Sequence, residues 1–260
     1  MCDTMKIKGG KHMDITYLNF VYYGSETAPE KWVWNSLPYT YCNRLYYVRG
    51  GSATYTDESG THTFKKNHLY LFPQTSNYTL AQDRENRLDH LYFDFLCVPL
   101  PYSSDIVEID TSGDLIIENA VNVLDSFVCK VPFYKEESAK YQKYIKPVFM
   151  MLLDYIQDFY RVEFRPCGPI QDALVYMIEH FSEEITVNDI ARYAGYNPKY
   201  FIRIFTKMMM VTPYQFLREM RLSKARALIN SGSTVAQAAE ATGFGYPSSL
   251  SNALIRRKRK

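Results

Sequence analysis

The sequence predicts an α+β protein: a β-rich N-terminal domain of the sandwich or small-barrel kind, two following helices, and an all-α C-terminal domain. Three observations predict it. Between Thr16 and Pro99, short alternating apolar–polar runs recur at a spacing of roughly ten residues. From Ser112 to Tyr160 the period lengthens to that of helices, and from Ile170 onward the chain reads as a series of short helices. Between them, Arg165-Pro166-Cys167-Gly168-Pro169 is a cluster of breakers. It sets a domain boundary that divides the 260 residues into 1–164 and 165–260.

Each element follows from local pattern. Tyr39–Val48 alternates in part and ends at the Gly50-Gly51 turn; Ala53–Tyr55, the Asp57–Gly60 turn and Thr61–Phe64 form a hairpin. His68–Phe72 is a short apolar run closed by Pro73, and Asp89–Phe95 alternates again. In the helical stretch Leu115, Ile116, Asn119, Val123 and Phe127 share a face. Ile145, Phe149, Leu152, Leu153, Ile156 and Phe159 make a second apolar stripe. The C-terminal helices are expected at Ile170–Phe181, Asn188–Ala194, Asn197–Met208, Tyr214–Asn230 and Val235–Thr242, with a last one starting at Pro247. Asn197 followed by Pro198 is a cap with proline at the first helical position.

Composition excludes several classes. A hydrophobic share of 47% is enough for packed cores, but no apolar run reaches the roughly 18 to 20 residues of a spanning helix. Met1–Lys11 carries charges and lacks an apolar h-region, so a signal peptide is not expected and the predicted location is cytoplasmic, with no membrane partner. The five cysteines are scattered without a CxxC pair, which suits buried thiols in a reducing compartment. Charge is uneven: residues 1–164 hold 16 Lys+Arg against 21 Asp+Glu, and residues 165–260 hold 14 against 7. A basic half points to a polyanion, although five of its charges are the terminal run Arg256–Lys260.

The decisive pattern is a repeat. Ile190-Ala191-x-x-Ala194-Gly195-Tyr196-x-Pro198-x-Tyr200-Phe201 is echoed by Ala238-Ala239-x-x-Thr242-Gly243-Phe244-x-Tyr246-Pro247-x-Ser249-Leu250, at an offset of 48 or 49 residues. Each copy is a short helix, a glycine turn, an aromatic and a second helix, the grammar of a helix-turn-helix. Glycine permits the left-handed turn, the aromatic fills the angle between the helices, and the second helix offers its N-terminal side chains to a major groove. On Asn197–Met208 the outward row is Lys199, Ile202, Arg203 and Thr206, with Phe201, Ile204 and Phe205 buried. Arg203 suits a bidentate contact to guanine, Lys199 a base or a phosphate, and Lys207 and Lys224 phosphates. Ser248, Ser251 and Asn252 are the matching positions of the second module, Asn252 suiting adenine.

With these motifs the sequence resembles the AraC/XylS family of transcription regulators. "ITVNDIARYAGYNPKYFIRIFTKMMMVTPYQFLREMRLSKARALI" resembles its first module and linker helix, and "TVAQAAEATGFGYPSSLSNAL" its second module. "RLYYVRGGSATYTDESGTHTFKKNHLYLFPQTSNYTL" with "LDHLYFDF" resembles its sensor. The resemblance implies a cupin-like β-barrel that binds a small-molecule effector, a sugar among the candidates. It also implies a homodimer built on the two helices 115–127 and 141–160, double-stranded DNA as partner, and RNA polymerase as a further candidate partner. Trp32, Trp34, Tyr39, Arg44, Tyr46 and Tyr92 are the candidate effector residues, since aromatic faces suit sugars and planar ligands. The sequence departs from the family at Met210, where a turn glycine is usual, at Ser249 in place of an aromatic, and at Asn252 in place of an arginine. It also ends at Lys260, ahead of the family's closing turn and helix, so the second module is expected to be weaker or cut short.

Rival readings lack their residues. A metal-dependent cupin enzyme needs clustered histidines, whereas His62, His68 and His90 contain no HxH pair. A DNA-repair regulator with the same DNA-binding unit needs a zinc-thiolate cluster, which scattered cysteines do not offer. A phosphorelay output protein needs a βα-repeating receiver. Walker loop, nucleophile elbow and GxGxxG are all missing, so no catalytic residue, metal or cofactor is expected and a non-enzyme is predicted.

Overall fold

The computed structural model describes residues 12–30, 32–35, 42–73, 78–101, 103, 105–131, 133, 137–165, 167–230 and 232–258, with backbone alone at 33–35, 139, 230 and 256–258. The strands are β1 Tyr17–Thr27, β2 Val33–Asn35, β3 Asn43–Gly50, β4 Ala53–Asp57, β5 Gly60–Thr63, β6 His68–Phe72, β7 Thr79–Gln82, β8 Asp89–Val98, β9 Leu100–Pro101 and β10 Val107–Asp110, then β11 Phe164–Arg165. Helices α1 Leu115–Lys130 and α2 Ser138–Tyr160 precede β11. After a 3-10 turn at Gly168–Ile170 come α3 Gln171–His180, α4 Val187–Tyr193, α5 Pro198–Met209, α6 Pro213–Asn230, α7 Val235–Ala241 and α8 Pro247–Lys258.

The strands form a five-stranded antiparallel sheet in the order β1-β8-β3-β6-β10 and a four-stranded sheet in the order β2-β7-β4-β5, while β9 pairs with β11. Among the described residues no hydrogen-bonded ladder joins the two larger sheets, which corrects the expectation of a closed barrel. The fold closes by packing faces rather than by pairing edges. Tyr46, Val48, Tyr70 and Phe72 meet Tyr55, Phe64, Tyr78 and Leu80 between the sheets. The alternate residues Leu45, Tyr47, Leu69, Leu71, Leu91, Phe93 and Phe95 leave the opposite face and meet α1 and α2 through Ile117, Leu124, Ile145, Phe149, Leu152 and Ile156.

The two helices lie differently from their apolar patterns. On α1 the buried row is Ile117, Ala120, Val121, Leu124 and Val128. Leu115, Ile116 and Val123 are 68%, 49% and 43% exposed, so the expected stripe is the outer one. Asp114 sets that rotation. Its carboxylate accepts from the Ile116 and Ile117 amides and from the Tyr155 and Tyr160 hydroxyls, tying the start of α1 to the end of α2. On α2, Ile145, Phe149, Leu152, Leu153 and Ile156 are buried as their spacing implies, whereas Phe159 faces out.

The C-terminal helices start where local chemistry starts them. Thr186 with Asp189 and Thr234 with Gln237 are reciprocal capping boxes at α4 and α7. Thr212 and Gln215 make the same exchange at α6, and Asn197 caps α5. The boundary cluster does not interrupt the packing. Val21, Leu96 and Val98 of the large sheet share one core with Cys167, Ile170, Leu174, Met177, Phe201, Phe205 and Phe216. A separate small core of Leu222, Ala225, Ala238, Ala239, Leu250 and Ala253 holds the second helical pair.

Met210, which follows α5, adopts φ 57°, the left-handed conformation that costs an L side chain about 1 kcal/mol or more. The side chain is 59% exposed and returns little packing. Met210→Gly is therefore expected to stabilise the protein by about 1 kcal/mol, read as a higher urea midpoint. An unchanged or lower midpoint would show that the exposed thioether contributes more than the backbone loses.

Candidate nucleic-acid interface and effector site

In the first helical pair, α4 meets α5 across a turn in which Gly195 takes φ 75° and the Tyr196 amide donates to Ala191 O at 2.8 Å. Phe201 and Phe205 are fully buried against α3 and α6, which forces the opposite face of α5 outward. Lys199, Ile202, Arg203 and Lys207 are exposed on it. The Arg203 guanidinium lies 5.2 Å from the centre of the Tyr200 ring, a cation–π contact that holds it along the helix surface.

Two expected DNA contacts point elsewhere. Thr206 is half-buried, and its hydroxyl is enclosed without a hydrogen-bond partner among the described residues. Lys224 on α6 donates from Nζ to Phe20 O at 3.1 Å and sits 5.0 Å from the centre of the Phe133 ring. Burial pushes its pKa down to about 8. In this arrangement Lys224 ties the linker helix to β1 and does not face a phosphate, because α6 lies against the sheet.

The second pair repeats the turn, with Gly243 at φ 70° and the Phe244 amide on Ala239 O at 3.0 Å. On α8, Leu250 and Ala253 face the core, Ser248 and Asn252 are exposed, and Ser251 is half-exposed. Asn252 and Ser249 line a cleft of about 570 Å³ between the two pairs, opposite Thr186, Leu217, Arg218 and Arg221. The side chains of the basic run Arg256–Lys260 lie outside the described residues.

In the N-terminal part, Tyr46, Tyr92 and Trp32 gather around a histidine that its sequence context does not single out. His90 lies 4.6 Å from Tyr46, 5.1 Å from Tyr92 and 6.1 Å from Trp32, centre to centre, and is only 2% exposed. Its Nδ1 is buried with no hydrogen-bond partner among the described residues. Burial, reinforced by the Arg49 charge, pushes its pKa down to about 4. Arg44, also predicted here, is committed to a forked pair with Asp94 at 2.6 Å on both arms, and also donates to the Tyr78 hydroxyl. Asp94 overcomes the burial penalty and holds the Arg44 pKa well above its ordinary value. Arg49 pairs with Asp89 and with Asp125 of α1, linking this region to the helices. Trp34 keeps only its backbone register, opposite Leu80, and Tyr39 lies outside the described residues. The sequence signal for His90 is its place in the alternation of DHLYFDF, on the same face as Tyr92 and Asp94.

Two sheets and two helices followed by two successive helix-turn-helix pairs, the first with an outward row of long basic side chains, define a sheet-rich domain joined to a double helix-turn-helix unit. Residues 190–259 match the family model described as a helix-turn-helix domain. The chain is 28% identical over 85 residues to the HTH-type transcriptional regulator YbfI of Bacillus subtilis, covering 33% of this chain and 31% of that protein. It is 30% identical over 61 residues to the melibiose operon regulatory protein of Escherichia coli, covering 24% and 20%. The chain thus spans a third or less of the length of these curated relatives. The structure of ToxT from Vibrio cholerae with bound unsaturated fatty acid has the same fold, with TM-score 0.58 and 11% identity over 95% of this chain and 93% of that one. The family match lies in the C-terminal part of the chain, and the likeness to ToxT is one of fold.

The buried His90 has a consequence for stability. Its pKa is about 4 in the folded chain against 6.5 for a free histidine, so between those values the unfolded chain binds a proton that the folded chain refuses. Stability is therefore lost as pH falls through this window, by about 2 kcal/mol between pH 7 and pH 5. His90→Gln should flatten this part of the profile when urea midpoints are compared at the two pH values. An equal drop in both proteins would assign the acid sensitivity to other groups.

Proposed function

We propose that this protein is a sequence-specific transcription regulator that binds double-stranded DNA through its two helix-turn-helix modules and answers to a small-molecule effector held by its N-terminal domain. The observation that carries the DNA reading is the outward face of α5, where Lys199, Ile202, Arg203 and Lys207 stand clear of a core fixed by Phe201 and Phe205. Arg203 presents a planar fork suited to guanine, and the two lysines suit phosphates. The second module offers shorter, neutral groups at Ser248, Ser251 and Asn252, so the first module carries most of the base discrimination. In this reading residues 1–164 are the sensor and 165–260 the DNA-binding unit, and no catalytic site is assigned.

For the effector, the aromatic enclosure of His90 by Trp32, Tyr46 and Tyr92 is the proposed place. Arg44 and Arg49 already face carboxylates there, and the imidazole is neutral near pH 7, so the site suits an uncharged ligand with a flat apolar face and a group that bonds to Nδ1. A neutral sugar meets that description better than a fatty acid of the kind bound in the ToxT structure. The homodimer is assigned to the outer face of α1 and α2, where Leu115, Ile116, Val123, Tyr144, Met151 and Phe159 are exposed.

With duplexes selected from a random library, the full-length protein should lose affinity linearly in log salt, by about 0.9 for each phosphate contact. Arg203→Ala should cost about 1 to 3 kcal/mol and relax preference at one base pair, and Asn252→Ala less. A salt-independent affinity, or a silent Arg203→Ala beside a damaging Asn252→Ala, overturns the assignment. By light scattering at tens of micromolar the chain should be a dimer, and Met151→Asp should convert it to a monomer. A wild-type monomer removes the dimer from the proposal.

A further inference from the structure

The two modules approach each other at a short segment of backbone. Arg221, on the linker helix α6, donates from Nε to Phe181 O and from Nη2 to Glu183 O, both at 2.6 Å. Phe181 caps α3, where helix carbonyls lack intrahelical partners and a positive charge is favoured, and Glu183 lies in the turn that follows, its carbonyl also accepting from the Ile185 amide at 2.8 Å. Gly243, the turn residue of the second module, reaches the same segment from the other side. A Cβ there would stand 2.9 Å from Phe181 O and from Ser182 O and 3.0 Å from the Ser182 carbonyl carbon, closer than backbone atoms tolerate. Beyond this contact the modules are parted by the cleft of about 570 Å³ lined by Ile185, Leu217, Phe244 and Asn252. The segment Phe181–Glu183 is therefore held between an arginine fork and a side-chain-free turn.

Gly195 makes the contrast. It is the turn residue of the first module, with φ 75° against 70° at Gly243, yet a Cβ there would meet nothing within 4 Å among the described residues. The two glycines serve the same backbone turn, but only Gly243 also serves a close approach between modules.

We propose that Arg221 and Gly243 act as positioning residues that set the separation and angle of the two recognition helices, and hence the half-site spacing the protein accepts on DNA. The inference rests on the reading that both modules enter DNA. Helices that read successive major grooves must match the repeat of the duplex, about 34 Å per turn, so a small displacement at the clamp is felt as a spacing mismatch. A lysine at position 221 keeps the charge but loses the fork that spans two carbonyls. An asparagine at position 243 keeps the left-handed turn, which it tolerates, but brings the obstructing Cβ.

The experiment is selection of bound duplexes from a random library by full-length wild type, Gly243→Asn, Gly195→Asn and Arg221→Lys, with a melting curve for each. The wild type and Gly195→Asn should enrich bipartite sites of one spacing. Gly243→Asn and Arg221→Lys should keep the first half-site while the second is shifted, broadened or lost. Affinity for the wild-type spacing should fall at least about tenfold, while each protein still melts cooperatively. If Gly243→Asn is not cooperatively folded, Arg221→Lys decides alone. If the wild type enriches a bipartite site and the clamp variants select the same spacing with the same affinity as Gly195→Asn, the clamp is overturned while the DNA reading stands. If the wild type enriches no bipartite site at low salt, two-module binding itself falls, and the clamp with it.

Discussion

Strand β8 is buried on both faces, and three cores depend on it. Leu91, Phe93 and Phe95 enter the core shared with α1 and α2. His90, Tyr92 and Asp94 turn the other way, toward the space between the sheets, and farther along the same face Leu96 and Val98 join the core of the first helix-turn-helix module. A strand with side chains of period two can serve two partners at once only if neither face meets water, and its near-continuous apolar run reflects that. A displacement around His90 is therefore felt by the same backbone that packs against the first helix-turn-helix module. Lys224 adds a polar tie between the linker helix and β1, next to the point where β1 bulges between Phe20 and Tyr22.

The two modules differ in how they are held. The first rests on large aromatics, Phe201, Phe205 and Phe216, and on the sheet beneath them. The second rests mainly on alanines with Leu222 and Leu250, a core that buries much less apolar area and so contributes less stability. The better-packed module also carries Lys199, Arg203 and Lys207 on its outward face, where the second has serines and an asparagine ahead of the basic run Arg256–Lys260. Mechanical and chemical emphasis fall on the same half of the unit.

Between the sheets the protein keeps polar groups that a purely structural core would not need. The Arg44–Asp94 pair is enclosed, and such a pair returns little net stability once both charges have lost water. His90 is held neutral with an Nδ1 that finds no partner among the described residues, at a cost that a leucine would avoid. Such groups fit a place that recognises a ligand, and Arg49 with Asp125 connects it to the sheet-facing side of α1, the helix whose outer face is proposed for the dimer.

The sequence by itself determined what depends on neighbours along the chain. Thr186, Asn197 and Thr234 start helices because their caps bond within a few residues, and Gly195 and Gly243 mark turns because only the local backbone decides φ. Alternation placed β3 and β8, an apolar run closed by Pro73 placed β6, and the repeat placed both modules. Tertiary structure decided what depends on which surfaces meet. The apolar residues of α1 lie on two sides, and the Asp114 bonds to Tyr155 and Tyr160, with the Asp125 bonds to Ser25 and Arg49 of the sheet, favour the buried one. Thr206 and Lys224 look outward in a helical count but turn inward, because the neighbouring surface is already there. His90 reads as an ordinary strand histidine until Trp32 and Tyr46, brought from distant parts of the chain, exclude water from it. The double role of Gly243 is of the same kind, for its turn is written in the sequence, and its contact with Phe181 and Ser182 exists only once the modules pack.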